Sequence, residues 1–214
     1  MTRLTMGRRS LLKLVAGLAG LGAARGHGQR GSVRVTREEP VIERREFNPR
    51  RPPRNMPPLT PPEAGVCKTT FELAASMSYS SESLSATRAR IYVDELDIVT
   101  RLRFDIFTVR GAAPKLRAHE EGHRAIGEHY YRDAAQIAEE IGRRLIGETF
   151  VGVGADEDAA QRAGFEQAIA EIERAYMARV RAPSAAANER FDAITSHGLD
   201  SIDEAEAIAL AIAP

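Results

Sequence analysis

The sequence predicts an α+β domain in which a small antiparallel sheet is followed by packed helices, and the order of two periodicities is what predicts it. Between Cys67 and Arg110 apolar residues recur at every second position, and after Pro114 they recur at every third or fourth. Strands first and helices afterwards segregate the two element types instead of alternating them.

Composition bounds the rest. The 214 residues are 43% hydrophobic and 28% charged, enough for one domain with its own core. Thirty Lys+Arg balance thirty Asp+Glu, so the chain lacks the basic excess of a dedicated nucleic-acid binder. Cys67 is the single cysteine, which excludes an intrachain disulfide and a thiolate-rich zinc module. A metal here has to use His, Asp or Glu.

Residues 1–24 read as a signal peptide. Arg8-Arg9-Ser10-Leu11-Leu12-Lys13 resembles the twin-arginine export signal, and a weakly apolar run from Leu11 to Ala24 ends in small residues. That run contains Lys13 and three glycines and is shorter than the roughly 20 apolar residues of a spanning helix, so no permanent membrane anchor is expected. The expected partner is the twin-arginine export machinery, and the expected location is periplasmic or secreted. Cleavage after Ala24 leaves 26 basic against 30 acidic residues.

Residues 25–66 read as a Pro/Arg-rich arm or linker, because eight of the eleven prolines lie between Pro40 and Pro62. Such an arm is dispensable to the domain at 67–214. Within that domain, Phe71, Leu73 and Ala75 alternate with polar residues, and Leu96, Ile98, Thr100, Leu102, Phe104, Ile106 and Thr108 repeat at period two. A bulge or a turn near Asp94-Glu95 is expected to divide 90–110, giving two to four antiparallel strands. Pro114 opens a helix whose stripe runs through Leu116, His119, His123, Ile126, Tyr130, Ile137 and Ile141. A second helix begins near Asp156, carries Phe165, Ile169, Ile172, Tyr176 and Val180, and ends before Pro183. Ser201-Ile202-Asp203-Glu204 reads as a capping box opening a short terminal helix.

The first helix carries His119-Glu120-Glu121-Gly122-His123, an H-E-x-x-H motif. Residues four apart on a helix point the same way, so both imidazoles can reach one zinc ion, and Glu120 is placed beside them as a general base. Two histidines do not make a stable site. The candidates for a third ligand are His129, His197 and downstream acids such as Glu139, Glu140 and Glu148. His129 stands ten residues after His119, but a continuous helix turns it away from the metal. Glu121 reads as a solvated helix residue, and Cys67 as a small buried one.

The run carried by His119, Glu120, His123, Ile126, Glu128, Tyr130 and Arg132, together with a later segment carried by Asp192, Thr195, His197 and Gly198, resembles a bacterial family of predicted secreted zinc-dependent proteases. The resemblance implies a zincin-like fold, Zn(2+) held by His119, His123 and His197, and Glu120 as the catalytic base. It also implies that Glu128, Tyr130 and Arg132 support the helix or the site. This chain has Phe191 where the family has tyrosine, so an oxyanion donor must come from elsewhere, Tyr131 or a strand amide being the alternatives.

The expected function is an exported zinc-dependent peptidase acting on a peptide or protein substrate in the cell envelope. The competing expectation is a non-catalytic envelope protein with a structural or vestigial zinc site that binds a partner. A zinc amidase acting on cell-wall peptides shares the site and differs only in substrate.

The export reading makes a direct test. With Arg8 and Arg9 both changed to Lys, a reporter fused to residues 1–24 is expected to stay inside the cell; undiminished export contradicts the reading.

Overall fold

In the computed structural model the described residues are 31–59 and 63–213, so the expected signal peptide lies outside them. The elements are β1 (Val33–Arg37), β2 (Val41–Phe47), β3 (Gly65–Ser85), β4 (Arg88–Val109), α1 (Pro114–Tyr131), α2 (Ala134–Leu145), β5 (Thr149–Val153), α3 (Glu157–Arg179), α4 (Arg181–Thr195) and α5 (Glu204–Ile212).

The sheet has five strands, and the other four all pair with β4. β3 runs antiparallel to it from Gly65↔Thr108 to Ser85↔Arg88, which occupies one edge of β4 along nearly its whole length. The opposite edge is shared end to end by three short strands. β5 pairs antiparallel with 88–92, β1 parallel with 96–100, and β2 parallel with 103–109.

This corrects the expected fold class. The sheet is mixed, with β1 and β2 parallel to β4 and β5 entering between helices, so the domain is α/β and not a small antiparallel sheet followed by helices. No zincin-like fold is shown. The segment read as an arm also changes status, because β1 and β2 both come from it. Pro40 sits between them and Pro49 follows them, positions where a missing N–H interrupts no ladder, and both strands lie at the sheet edge. Val33, Val35 and Ile42 pack on the main core and Phe47 is buried.

β4 explains the rest of the sheet. Its buried side chains fall on odd positions through Ala89, Ile91 and Val93 and on even positions from Leu96 through Phe104. One strand cannot switch faces unless a residue is inserted, and the register jumps from Tyr79↔Val93 to Ser78↔Glu95, leaving Asp94 as the extra residue. The break expected near Asp94-Glu95 is therefore a bulge. The hairpin turn falls later in β3 and earlier in β4, at residues 86–87.

The helical stripe after Pro114 is divided between α1 and α2 at Arg132-Asp133. α3 starts where expected, with the Asp156 carboxylate accepting the Ala159 N–H at 2.8 Å, and buries Ile172, Tyr176 and Val180. Pro183 does not end the helical region; it lies in the first turn of α4, where a proline's missing donor leaves nothing unsatisfied. α5 is capped by Asp203, which accepts the N–H groups of Ala205 and Glu206, and not by Ser201. A second, smaller core of Ile126, Ala187, Phe191, Ala207 and Ala211 joins α1, α4 and α5.

Among the described residues no helix is long and apolar enough to cross a membrane. Deleting residues 31–59 is expected to abolish cooperative urea unfolding. Burial of Phe47 alone contributes roughly 1.5–3 kcal/mol, against a net stability of about 5–15 kcal/mol for a domain, and the deletion also strips β4 of two strands. An unchanged midpoint followed by circular dichroism contradicts this.

Candidate metal centre

Two helices build the site. α1 carries His119 and His123 one turn apart, and α4 presents Asn188, Asp192 and Thr195 at helical spacing towards them. Gly122 lies between the histidines on α1, and a Cβ there would collide with the tip of the Phe191 ring. Its absence lets Phe191, fully buried, stack on His119 with ring centroids 4.9 Å apart and planes inclined by 12°. The same ring meets His123 edge-on at 5.1 Å. Phe191 is thus the floor under both imidazoles. A phenolic oxygen on its tip would point at the Gly122 backbone, so a tyrosine at this position would supply no oxyanion donor in this packing.

The hydrogen bonds decide which nitrogen of each ring faces the centre. Thr195 Oγ1 donates to the Phe191 carbonyl at 2.7 Å, so it meets His119 Nδ1, 3.4 Å away, as an acceptor. His123 Nδ1 lies 2.7 Å from Asn188 Oδ1. Both Nε2 atoms turn inward, 3.2 Å from each other, and lie 3.3 Å and 3.0 Å from Asp192 Oδ1.

That inner set is electron-rich. Two imidazole nitrogens and a carboxylate oxygen converge where only a cation, a proton or a metal ion, relieves the repulsion. Titration follows the same logic. Burial works against the charged Asp192, but the hydrogen bonds from His119 and His123 outweigh it and hold its carboxyl well below the usual range. Burial disfavours the imidazolium of His123, and Asp192 outweighs that too and raises it. His119, His123 and Asp192 offer ligand atoms within 4.8 Å of one another and could hold a metal ion. Two imidazoles and a carboxylate suit zinc with one position left open.

Glu120, only 3% exposed, lies on the sheet side of α1. The start of β3 makes room for it: a Cβ on Gly65 would come within 2.6 Å of its Oε1. Burial raises its pKa to about 7, against the pull of His123 and a hydrogen bond from the Cys67 N–H. Its Oε2 is buried with no hydrogen-bond partner among the described residues. The Cys67 thiol is itself pushed up to about 12, chiefly by burial, and so stays a neutral side chain.

The structure brings His119, His123 and Glu120 together. It places His197 at the rim, half-exposed, with Nδ1 3.8 Å from Asp192 Oδ1 and 3.6 Å from Glu63 Oε1. Ser196 and His197 adopt left-handed backbone angles with Gly198, where a Cβ would come 2.9 Å from His119 Cγ. His129 lies outside the ligand group and packs against Tyr130. Glu139 and Glu140 pair with Arg143 and Arg179, Glu128 pairs with Arg124, and Glu121 pairs with Arg44 and Arg124. Tyr131 is no oxyanion donor, because its hydroxyl is bound to the carbonyls of Thr100 at 2.8 Å and Glu38 at 2.9 Å beneath α1.

Asp192 is the candidate ligand that sequence reasoning missed, though it was among the residues carrying the family resemblance. The Asn188, Asp192, Thr195 spacing was the available signal, and it is visible only once 181–195 is recognised as a helix. No protein-family model matches the chain. No curated protein matches it, and no solved structure does.

Glu120 gives a pH signature in the metal-free protein. A carboxyl raised from 4.5 to about 7 favours the folded state below pH 4.5, and that contribution is lost as pH rises through 7. Glu120→Gln removes the loss. The variant is expected to gain on the parent between pH 5 and pH 8, by up to about 3 kcal/mol, in urea unfolding with chelator present. A gap that stays constant with pH contradicts a buried, protonated Glu120.

Proposed function

We propose that this protein is an exported zinc-dependent peptidase that hydrolyses a peptide or amide bond in the cell envelope. The observation that carries the reading is the juxtaposition of the His119, His123 and Asp192 group with a buried carboxylate, Glu120, that has an unpartnered oxygen.

His119, His123 and Asp192 hold the ion, with His197 beside Asp192 at the exposed rim. Zinc in such a set supplies a Lewis acid that polarises a carbonyl and acidifies water. Glu120 takes the proton from the attacking water at its free Oε2 and passes it to the leaving nitrogen. Burial raises its pKa in the metal-free protein and a cation beside it would lower it, two opposed effects that suit a group which must accept a proton and release it within one turnover. Phe191 holds the imidazoles in place by stacking, and Asp192 offsets the charge that gathers on them. The resemblance to secreted zinc-dependent proteases and the twin-arginine-like leader support export.

One observation favours the partner-binding alternative. If His197, 3.8 Å from Asp192, turns inward, the set closes with four protein ligands, as in structural zinc sites.

Elemental analysis and casein hydrolysis separate the two readings. The purified parent is expected to hold about one equivalent of zinc and Asp192→Ala to lose it, as removal of one of three protein ligands should do. Glu120→Gln is expected to keep the zinc while hydrolysis falls at least ~100-fold, the scale of general base catalysis. His197→Ala retains metal if the site is open and loses it if the site is closed. A folded parent that binds no zinc when supplied with it overturns the metal reading.

A further inference from the structure

The choice of ring nitrogen at His123 has its own cause, one helix away. The Asn188 side-chain amide could in principle face His123 with its oxygen or its NH2 group, and the backbone decides between them. Asn188 Nδ2 lies 2.8 Å from the Ser184 carbonyl oxygen, which can only accept. The amide oxygen is thereby turned towards His123 Nδ1, at 2.7 Å. An amide oxygen can only accept as well, and the same holds for Asp192 Oδ1, 3.0 Å from Nε2. A neutral imidazole donates to one of them, and the shorter contact, anchored from Ser184, assigns the proton to Nδ1. Nε2 is left with its lone pair aimed at Asp192 Oδ1 and at the space between the helices.

Ser184 is itself buried, and Asn188 sits one turn before Asp192 on the same face of α4. The chain Ser184 carbonyl, Asn188 amide, His123 imidazole therefore runs from a rigid helix backbone to the centre of the site without solvent intervening. His119 has a weaker counterpart, since its Nδ1 meets Thr195 at 3.4 Å and that hydroxyl also accepts the Gly198 N–H. The two histidines are thus held unequally.

We infer that Asn188 is a positioning residue that fixes the tautomer and ring orientation of His123 and so sets the affinity of the site for a divalent cation. This rests on the metal-binding reading above, but its first readout needs no metal. An outer partner of a ligating histidine commonly changes metal affinity 10–100-fold.

The test uses the full chain, the near-isosteric Asn188→Leu, which offers no acceptor, and Asn188→Asp, which keeps one. In the metal-free parent at alkaline pH, nitrogen-15 correlation spectra are expected to show His123 protonated at Nδ1. Asn188→Leu is expected to shift it towards the Nε2 form and to weaken zinc binding about 10–100-fold in competition with a chromophoric chelator. Asn188→Asp is expected to keep both the tautomer and the affinity. A parent His123 protonated at Nε2 overturns the inference, as does an Asn188→Leu variant that binds zinc within about twofold of the parent, well short of the range for outer partners. If Asn188→Leu does not fold, the parent tautomer and the Asn188→Asp pair decide it. A parent that shows the Nδ1 form yet binds no zinc sinks the metal reading and the affinity clause, and leaves the assignment of the tautomer to Asn188 standing.

Discussion

Two nitrogen lone pairs and a carboxylate oxygen aimed at the same few ångströms repel each other, and the packing of α1 on α4 is arranged to hold them there. Without a cation such an arrangement is a liability, because electron-rich atoms have been taken from water and given no donor. The surrounding structure prevents them from turning away. Phe191 blocks the space beneath both rings, Thr195 and Asn188 occupy the outer nitrogens, and the small core formed by Ile126, Ala187, Ala207 and Ala211 clamps the helices together. Gly122 makes that approach possible by leaving room for the ring. Strain of this kind, stabilised by packing elsewhere, is what a preorganised ion site requires.

The sheet contributes from the other side. The Glu120 carboxyl faces the first residues of β3, where Gly65 leaves space and Cys67 provides an N–H. Enclosed between helix and strand backbone it loses most of its hydration, which is why its proton is held so much more tightly than usual. α1 therefore presents two polar faces. One turns His119 and His123 towards α4, and the adjoining one turns Glu120 towards β3.

What was legible in the sequence was what depends on neighbours in the chain. The spacing of His119 and His123, Pro114 at the helix start, the helix beginning near Asp156 and the break near Asp94-Glu95 are all local, and each corresponds to a feature of the structure. What depends on distant partners was not. β1 and β2 are short and flanked by prolines, and nothing within them announces that they lie parallel to a strand some sixty residues later. α4 was obscured because Pro183 reads as a stop when it is in fact a start. Losing that helix concealed Asp192 and Asn188, whose significance is a matter of spacing along it. His197 stood out for the opposite reason: a histidine draws notice wherever it lies, and this one lies at the rim.

The arrangement of strands around β4 has a consequence for how the molecule breathes. β5, β1 and β2 each touch the sheet through β4 alone and follow one another along its edge without pairing among themselves, so no ladder passes strain from one to the next. Each is held by its own ladder and by the core residues it carries, Val33 and Val35 on β1 and Phe47 on β2, so each opens at its own cost. Amide hydrogen exchange in such a sheet is graded by edge, with β4 divided along its length into two kinds of amide. Those facing β3 belong to one long ladder. Those facing the short strands depend on three separate ones. Because Glu120 on α1 meets the first residues of β3, the candidate site rests against the longest ladder of the sheet.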